Sequence, residues 1–537
     1  QKQLEQAPGL ALDDRLHSIA GFQLFRRTSS WTANPTSQGL SLRGLGSTAA
    51  SRTLVVSDQE PMNDAFGGWV HWNEIPALAI QQVELLRGGA ADLYGSSAIG
   101  GVVDVVPVAL PPAQTVHFSA DASGASENSA LEDGLLTAAT HRVATLAAVS
   151  ALSTGGYIPI APAYRGLVDI PAHVTDESGR LEVGSPRSAN GSRVFLSGNV
   201  LNEARSNGTL LQTNATRLWH YTGGGDLNSG PGHAALRLFG SRESYRQSFS
   251  SVAADRNSEK LTRLQRVPLN ELGFVAQASR SFAHQLAGAV DLDLRDIRAT
   301  DEESAVVNSA VTTTTSISAR QREVGGYMAA IWQPKRWSLS GSVRVDSFRT
   351  FDAKRVVSNA SGATALPEID EVVVSPRVGV VRSVWKGFEL TGTAFRAFRG
   401  PTMNELYRTG QIGQQVTLAN SSLLAERATG FEFGSVAESA RFGRLRTSYF
   451  WTGINRPISA VLLSATPATE TLERENLGQI RSRGLMIEGQ SQRWHGLDAT
   501  FGYQLAVATV TRFSSSSPAQ SDLVGKWIPE VPRNSVT

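Results

Sequence analysis

Residues Gln81–Val106 read QQVELLRGGAADLYGSSAIGGVVDVV. Two short β runs flank a glycine-rich turn. Val83, Leu85 and Leu86 form an apolar strand that stops at Arg87-Gly88-Gly89. A small-residue helical turn, Ala90 to Tyr94, follows. Gly95, Gly100 and Gly101 then allow tight backbone turns before Val102-Val103-Asp104-Val105-Val106, because glycine accepts positive φ and close backbone approach. The strand–turn–helix–strand unit predicts a small α+β module.

Upstream, Leu10, Leu12, Leu16 and Ile19 lie on roughly one side of a short helix over 10–19. On composition, Phe22 to Ser51, rich in Ser, Thr, Asn and Gly and carrying Arg26-Arg27, reads as a surface loop. Inside it, Leu40-Ser41-Leu42-Arg43-Gly44 is a second short strand ending in Arg-Gly. The connector Pro107 to Pro112 marks a domain boundary, with one unit at 1–108 and another at 109–537.

After the connector, two-residue periodicity takes over. Leu339, Gly341, Val343 and Val345 alternate with Ser340, Ser342, Arg344 and Asp346. Similar alternation covers Phe388 to Ala394 and Leu497 to Leu505. This is a ribbon with one apolar and one wet face. Periodicity does not tell a sandwich, apolar side in, from a membrane barrel, apolar side out. Length does, since some 430 residues of strand and turn exceed any ordinary sandwich and make on the order of 20 strands.

Bulk numbers agree. A chain of 537 residues exceeds one ordinary core. With 50 basic against 48 acidic residues there is no nucleic-acid footprint. No cysteine is present, which excludes disulfides and thiolate zinc sites. No apolar run reaches the length of a membrane helix, so a closed barrel is the one route through a bilayer. Mean hydropathy of −0.15 suits alternating faces, while 7% aromatics is modest for two aromatic girdles.

The quoted stretch resembles the plug of TonB-dependent outer-membrane receptors, through Val83–Gly88, Leu93-Tyr94-Gly95 and Ala98–Gly101. Gly89 stands where that family often has proline. Leu40–Gly46, Arg52–Asp58 and Pro61–Asp64 extend the resemblance, which implies a third strand over Arg52–Asp58 with its turn at Asp58-Gln59, in place of the family's Asp-Gly. Ser375–Gly379, Phe395–Tyr407, Asn476-Leu477-Gly478, Arg483-Gly484-Leu485 with Glu488, and Pro529–Arg533 resemble barrel motifs. The resemblance implies a mainly β protein: a large antiparallel transmembrane β-barrel, about 22 strands when complete, with the α+β plug in its lumen. It implies energised uptake of a scarce solute, a ferric siderophore or cobalamin, by a monomer in outer-membrane lipid. The partner it implies is the TonB energy-transducing complex. No signal peptide or coupling box is visible at Gln1, and the chain is read as a fragment also short of its last strands.

No catalytic set, cofactor motif or metal motif emerges. His71-Trp72 reads as a packed plug loop rather than a ligand pair. The plug turn glycines are Gly44, Gly88, Gly95, Gly100 and Gly101. If Phe431, Phe433 and Ile487 face lipid, parity turns Glu432 and Glu488 into the lumen. There they are expected to meet Arg43 and Arg87 in a wet or half-wet charge cluster. Polar segments 154–188, 202–216, 245–266 and 300–316 are candidate outer loops, with Tyr157, Tyr164, Tyr245 and Arg246 as candidate ligand contacts. The rival readings are a passive porin or adhesin barrel, which would need no plug, and a soluble multi-sheet enzyme, which would show a converging polar pocket.

Overall fold

The computed structural model describes residues 7, 9, 11–26, 28–46, 50–412, 415–466, 469–493, 495–515 and 517–537. Leu10 and Arg27 therefore lie outside the described residues. The plug is built on a four-stranded sheet of Glu60–Pro61, Leu54–Ser57, Gly101–Pro107 and Ile80–Arg87, in that order. Leu54–Ser57 and Gly101–Pro107 run parallel; the other pairs are antiparallel. Helix Ala91–Tyr94 fills the predicted turn. Helix Leu12–Leu16 buries Leu12 and Leu16 against Leu40, Leu42 and Trp72. The third strand's turn carries two left-handed non-glycine residues, Asp58 (φ 49) and Gln59 (φ 74). That is the backbone of a type I′ hairpin, which favours Asn-Gly or Asp-Gly.

From Val116–Ala125 to Asn534–Val536 the chain forms one antiparallel sheet of nineteen strands among the described residues, in the order of a barrel. The alternation resolves with the apolar side outward. In Trp337–Val357, Val343 and Val345 are 37% and 50% exposed, whereas Arg344 and Asp346 are each 3% exposed and point inward. Inward polar groups reach a plug that touches wall strands all the way round. Its hydrogen-bond partners include Asp176, Arg193, Gln277, Ser342, Arg377 and Glu432. The N-terminal unit fills the lumen.

Two loop readings change. The stretch from Phe22 to Ser51 is no surface loop: Phe22, Leu24, Ser30, Gln38, Leu40, Leu42 and Leu45 are all buried. A plug's surface lies against the inner wall, so polar composition there marks contact with the lumen rather than with solvent. Of the four polar segments, 202–216, 245–266 and 300–316 are largely strand, whereas 154–188 contains a true connection of the loop-rich rim, 158–171, and 245–266 a shorter one, 253–258. Thr209 and Gln212 close a hairpin over two residues, and so do Val307 and Ala310. Beyond the bilayer both strand faces are wet, and apolar alternation disappears although pairing continues. The other long connections of that rim are 400–425, 456–478 and 513–533, while the opposite rim has short turns such as 230–231 and 386–387.

Candidate functional site

Among the described residues, three arginine–glutamate forks tie plug to wall at descending depth from the loop-rich rim. Arg52 meets Glu426, with Nη2–Oε1 at 2.7 Å and Nε–Oε2 at 3.1 Å. Arg43 meets Glu432, with Nε–Oε1 at 2.9 Å and Nη2–Oε2 at 2.5 Å. Arg87 meets Glu488, with Nη2–Oε1 at 2.8 Å and Nη1–Oε2 at 3.1 Å. Each planar guanidinium presents two N–H bonds to two carboxylate oxygens, a geometry that lysine cannot reproduce.

The structure thus brings Arg43 to Glu432 and Arg87 to Glu488 as two separate pairs. Their environments differ from the wet cluster expected. The Arg43 and Glu432 side chains are 2% and 10% exposed, so this pair is dry; those of Arg87 and Glu488 are 8% and 28% exposed, so this one is half-wet. Arg43 also lies over the Phe450 ring, 4.9 Å from its centroid. Gly88 (φ 81) sits beneath Glu432, and a Cβ there would lie 2.8 Å from Oε1. Gly44 (φ 63), Gly95 (φ 74) and Gly101 (φ 143) are also left-handed, whereas Gly100 is close-packed on the Leu42 carbonyl without positive φ. Gly89 has a packing reason: a Cβ there would meet the Phe395 ring at 2.3 Å.

Sequence reasoning missed Arg52 and Glu426. Glu426 lies six residues before Glu432 on the same strand, and the same parity argument covers it. Arg399 joins this pair, donating to Glu426 at 2.8 Å and to Glu405 at 2.8 and 3.0 Å. Glu405 closes the capping box of helix Met403–Tyr407 with Thr402, so the Pro-Thr-x-Asn-Glu motif is a helix start locked to the plug's anchor. On the opposite wall Arg193 and Arg237 both reach Asp58, at 2.7 and 3.0 Å.

Above the forks, the loop-rich mouth holds two neighbouring cavities. One of about 630 Å³ is bounded by Phe25, Arg52, Arg408, Arg474, Lys526 and Trp527. The other, about 360 Å³, is bounded by Phe25, Thr32, Tyr157, Gln247 and Phe249. Arg474, in the small sheet outside the barrel wall, donates to the Arg408 carbonyl at 2.7 Å. Burial pushes its guanidinium down to about 10, against the pull of Glu405 and with help from Arg408.

The four candidate ligand residues separate. Tyr157 edges the smaller cavity, its hydroxyl 3.3 Å from that of Thr32. Tyr164 is 76% exposed on an outer connection. Tyr245 is 1% exposed and packs on Trp69 below the mouth. Arg246, its neighbour on the strand, faces outward and is exposed. Adjacent strand residues point to opposite faces, so Tyr245 and Arg246 do not share one site.

A cylinder with an apolar exterior, a lumen filled by an ion-paired plug and a basic cavity at its mouth defines a plugged β-barrel receptor. The family model "TonB dependent receptor-like, beta-barrel" matches residues 164–537, and "TonB-dependent Receptor Plug Domain" matches 1–102. The chain belongs to the TonB-dependent receptor family, a family of transport receptors of the outer membrane. It is similar to the vitamin B12 transporter BtuB of Vibrio vulnificus, 40% identical over 92 residues, a match covering 17% of this chain and 14% of that protein. It is also similar to a probable TonB-dependent siderophore receptor, PirA of Acinetobacter baumannii, 36% identical over 77 residues, 12% of this chain and 10% of that one. Among solved structures, the ferric yersiniabactin uptake receptor FyuA of Yersinia pestis superposes with a TM-score of 0.74 at 15% identity, covering 98% of this chain and 79% of that one. The hemophore receptor HasR of Serratia marcescens gives 0.72 at 14% identity, covering 100% and 85%. The curated relatives are matched over a small part of their length, and the structural likeness establishes the fold.

Proposed function

We infer that this chain is an energised importer of a scarce, bulky solute, with a plug at 1–108 inside an outer-membrane barrel at 109–537. The loop-rich mouth faces the exterior, as long loops do in such barrels. The basic cavity suits an anionic or amide-rich ligand such as a ferric siderophore or cobalamin, the cargo types named for the relatives. The TonB complex supplies the pull. The observation that carries this reading is the plug itself, held in the lumen by Arg–Glu forks beneath a cavity of about 630 Å³. A passive channel has no use for a filled lumen.

Uptake tests it. The protein is placed in a host lacking its own receptors, and ferric siderophore and cobalamin entry are followed under iron or vitamin limitation, with and without a functional TonB. Entry that needs both the receptor and TonB supports the reading; entry independent of TonB makes the barrel a passive channel. Arg408→Ala with Arg474→Ala should weaken ligand binding roughly tenfold or more, as losing charge-assisted bonds does.

A further inference from the structure

Plug residues 63–72 form a tight loop pressed against the wall. Asn63 pairs with Val70 as an isolated bridge, and the Asp64 and Trp69 backbones are joined by a 2.8 Å hydrogen bond. The fold-back places the Asp64 carboxylate beside the His71 imidazole. Strand Gly232–Val252 of the wall brings Glu243 to the same point. His71 Nε2 lies 3.5 Å from Asp64 Oδ2 and 3.7 Å from Glu243 Oε1.

Those separations exceed ordinary hydrogen bonds. They lie at and just beyond the edges of a coordination shell, since bonds of 2.0–2.1 Å at tetrahedral angles put ligand atoms about 3.3–3.5 Å apart, so an ion would draw the Glu243 oxygen in by a few tenths of an ångström. A second observation is independent of spacing. Asp64, His71 and Glu243 are 7%, 6% and 5% exposed. Asp64 Oδ2, His71 Nε2 and Glu243 Oε1 each lack a hydrogen-bond partner. Three buried polar atoms that converge without a hydrogen bond among them are costly unless a cation, or a proton carried by the imidazole, satisfies them together. The backbone N–H groups of Phe66 and Gly67 hold the other Asp64 oxygen, Oδ1, and so aim Oδ2 at the same point. Two carboxylates and a neutral imidazole carry the charge that a divalent ion cancels.

We propose that Asp64, His71 and Glu243 bind one first-row divalent transition-metal ion, with Zn²⁺ as the probe. One imidazole and two carboxylates are hard-to-borderline ligands suited to such ions. Two ligands belong to the plug and one to the wall, so the ion is a clamp between them. It lies apart from the cavities at the mouth and is a resident ion rather than cargo. The clamp holds whether or not the chain imports anything.

Detergent-purified full-length protein is stripped with a chelator, then titrated with Zn²⁺ by calorimetry and with Co²⁺ by absorption. One tight ion per chain is expected, with Co²⁺ d–d bands of a nitrogen and oxygen site. His71→Gln and Glu243→Gln, both close in shape, should each weaken binding by roughly tenfold or more. Zn²⁺ should slow amide exchange in residues 63–72 of the unmodified protein only. Tight stoichiometric binding retained by both variants places the ion elsewhere and overturns the proposal. So does an unmodified protein that binds no better than they do, the outcome if His71 bridges the carboxylates through protons alone. Glu243→Gln lies on the wall rather than in the plug loop, so a failure of His71→Gln to fold still leaves a decisive variant.

Discussion

At the scale of single residues the dry fork is the most sensitive point. The Arg43 and Glu432 side chains are 2% and 10% exposed. Removing one partner leaves a buried charge unpaired, which costs about 3–5 kcal/mol. Arg43→Ala should therefore destabilise the plug far more than Arg87→Ala, because Glu488 can turn to solvent. The check is denaturant-induced plug unfolding in detergent, with the Arg43→Ala, Glu432→Gln double variant recovering part of the loss; equal losses at both arginines would show that depth does not matter. Turn residues act in the opposite direction. Gln59 holds φ 74 without being glycine, so Gln59→Gly should stabilise the hairpin by about 1 kcal/mol, read in the same unfolding experiment. Gly88→Ala should do harm twice over, through its positive φ and through the Glu432 oxygen 2.8 Å from the new Cβ.

At the scale of elements, the plug sheet carries a like-charge pair. Asp104 stands directly opposite Glu84 across strands Gly101–Pro107 and Ile80–Arg87. Burial first, then the Glu84 and Asp58 carboxylates, raise Asp104 to about 6 from its ordinary 3.8. A carboxyl raised in the folded state costs stability once ionised. That cost is absent below about pH 4 and complete above about pH 6, so this sheet should weaken as pH climbs through that window. Amide exchange of residues 101–107 should quicken from pH 4.5 to 7.5, after correction for intrinsic rates, and Asp104→Asn should flatten the difference; an equal trend in the variant would assign it to other groups. These elements were legible in the sequence to different degrees. Arg43 and Arg87 stood out because each ends a strand, and Glu432 and Glu488 followed from parity with Phe431, Phe433 and Ile487. Asp58 was hidden, since a turn aspartate gives no sign of the two wall arginines that reach it. Glu426 was readable by parity with Glu432, but no aromatic neighbours framed it. The outer connections were found in part, at 158–171 and 253–258; the rest of those segments is strand, because polar strands above a bilayer lose the apolar alternation that betrays them, and the long connections 400–425 and 456–478 were missed because they contain short strands of their own.

At the scale of the whole molecule, the question is how a plug so anchored yields to a pull. Leaving as one body means breaking the Arg43, Arg52 and Arg87 forks together. The Arg43 and Arg52 forks are dry and the Arg87 fork half-wet, so simultaneous release separates two buried ion pairs at once and costs several kcal/mol. Local opening is cheaper. Helix Leu12–Leu16 buries two leucines, and strand Gln23–Leu24 pairs with Leu40–Ser41 over only two residues. The N-terminal segment can therefore peel before the sheet that carries Arg87 moves. The chain has no cysteine, which makes an introduced disulfide unambiguous. Asp92 of the plug and Ser342 of the wall are joined by a 2.5 Å hydrogen bond, and replacing both with cysteine would tether the sheet side of the plug while leaving the N-terminal segment free. Uptake by the oxidised double-cysteine protein, with tether formation verified by mass spectrometry, should stay close to that of the reduced protein. If oxidation abolishes uptake and a reductant restores it, the plug must move as a body, and the forks must then break in concert under a load larger than their summed cost.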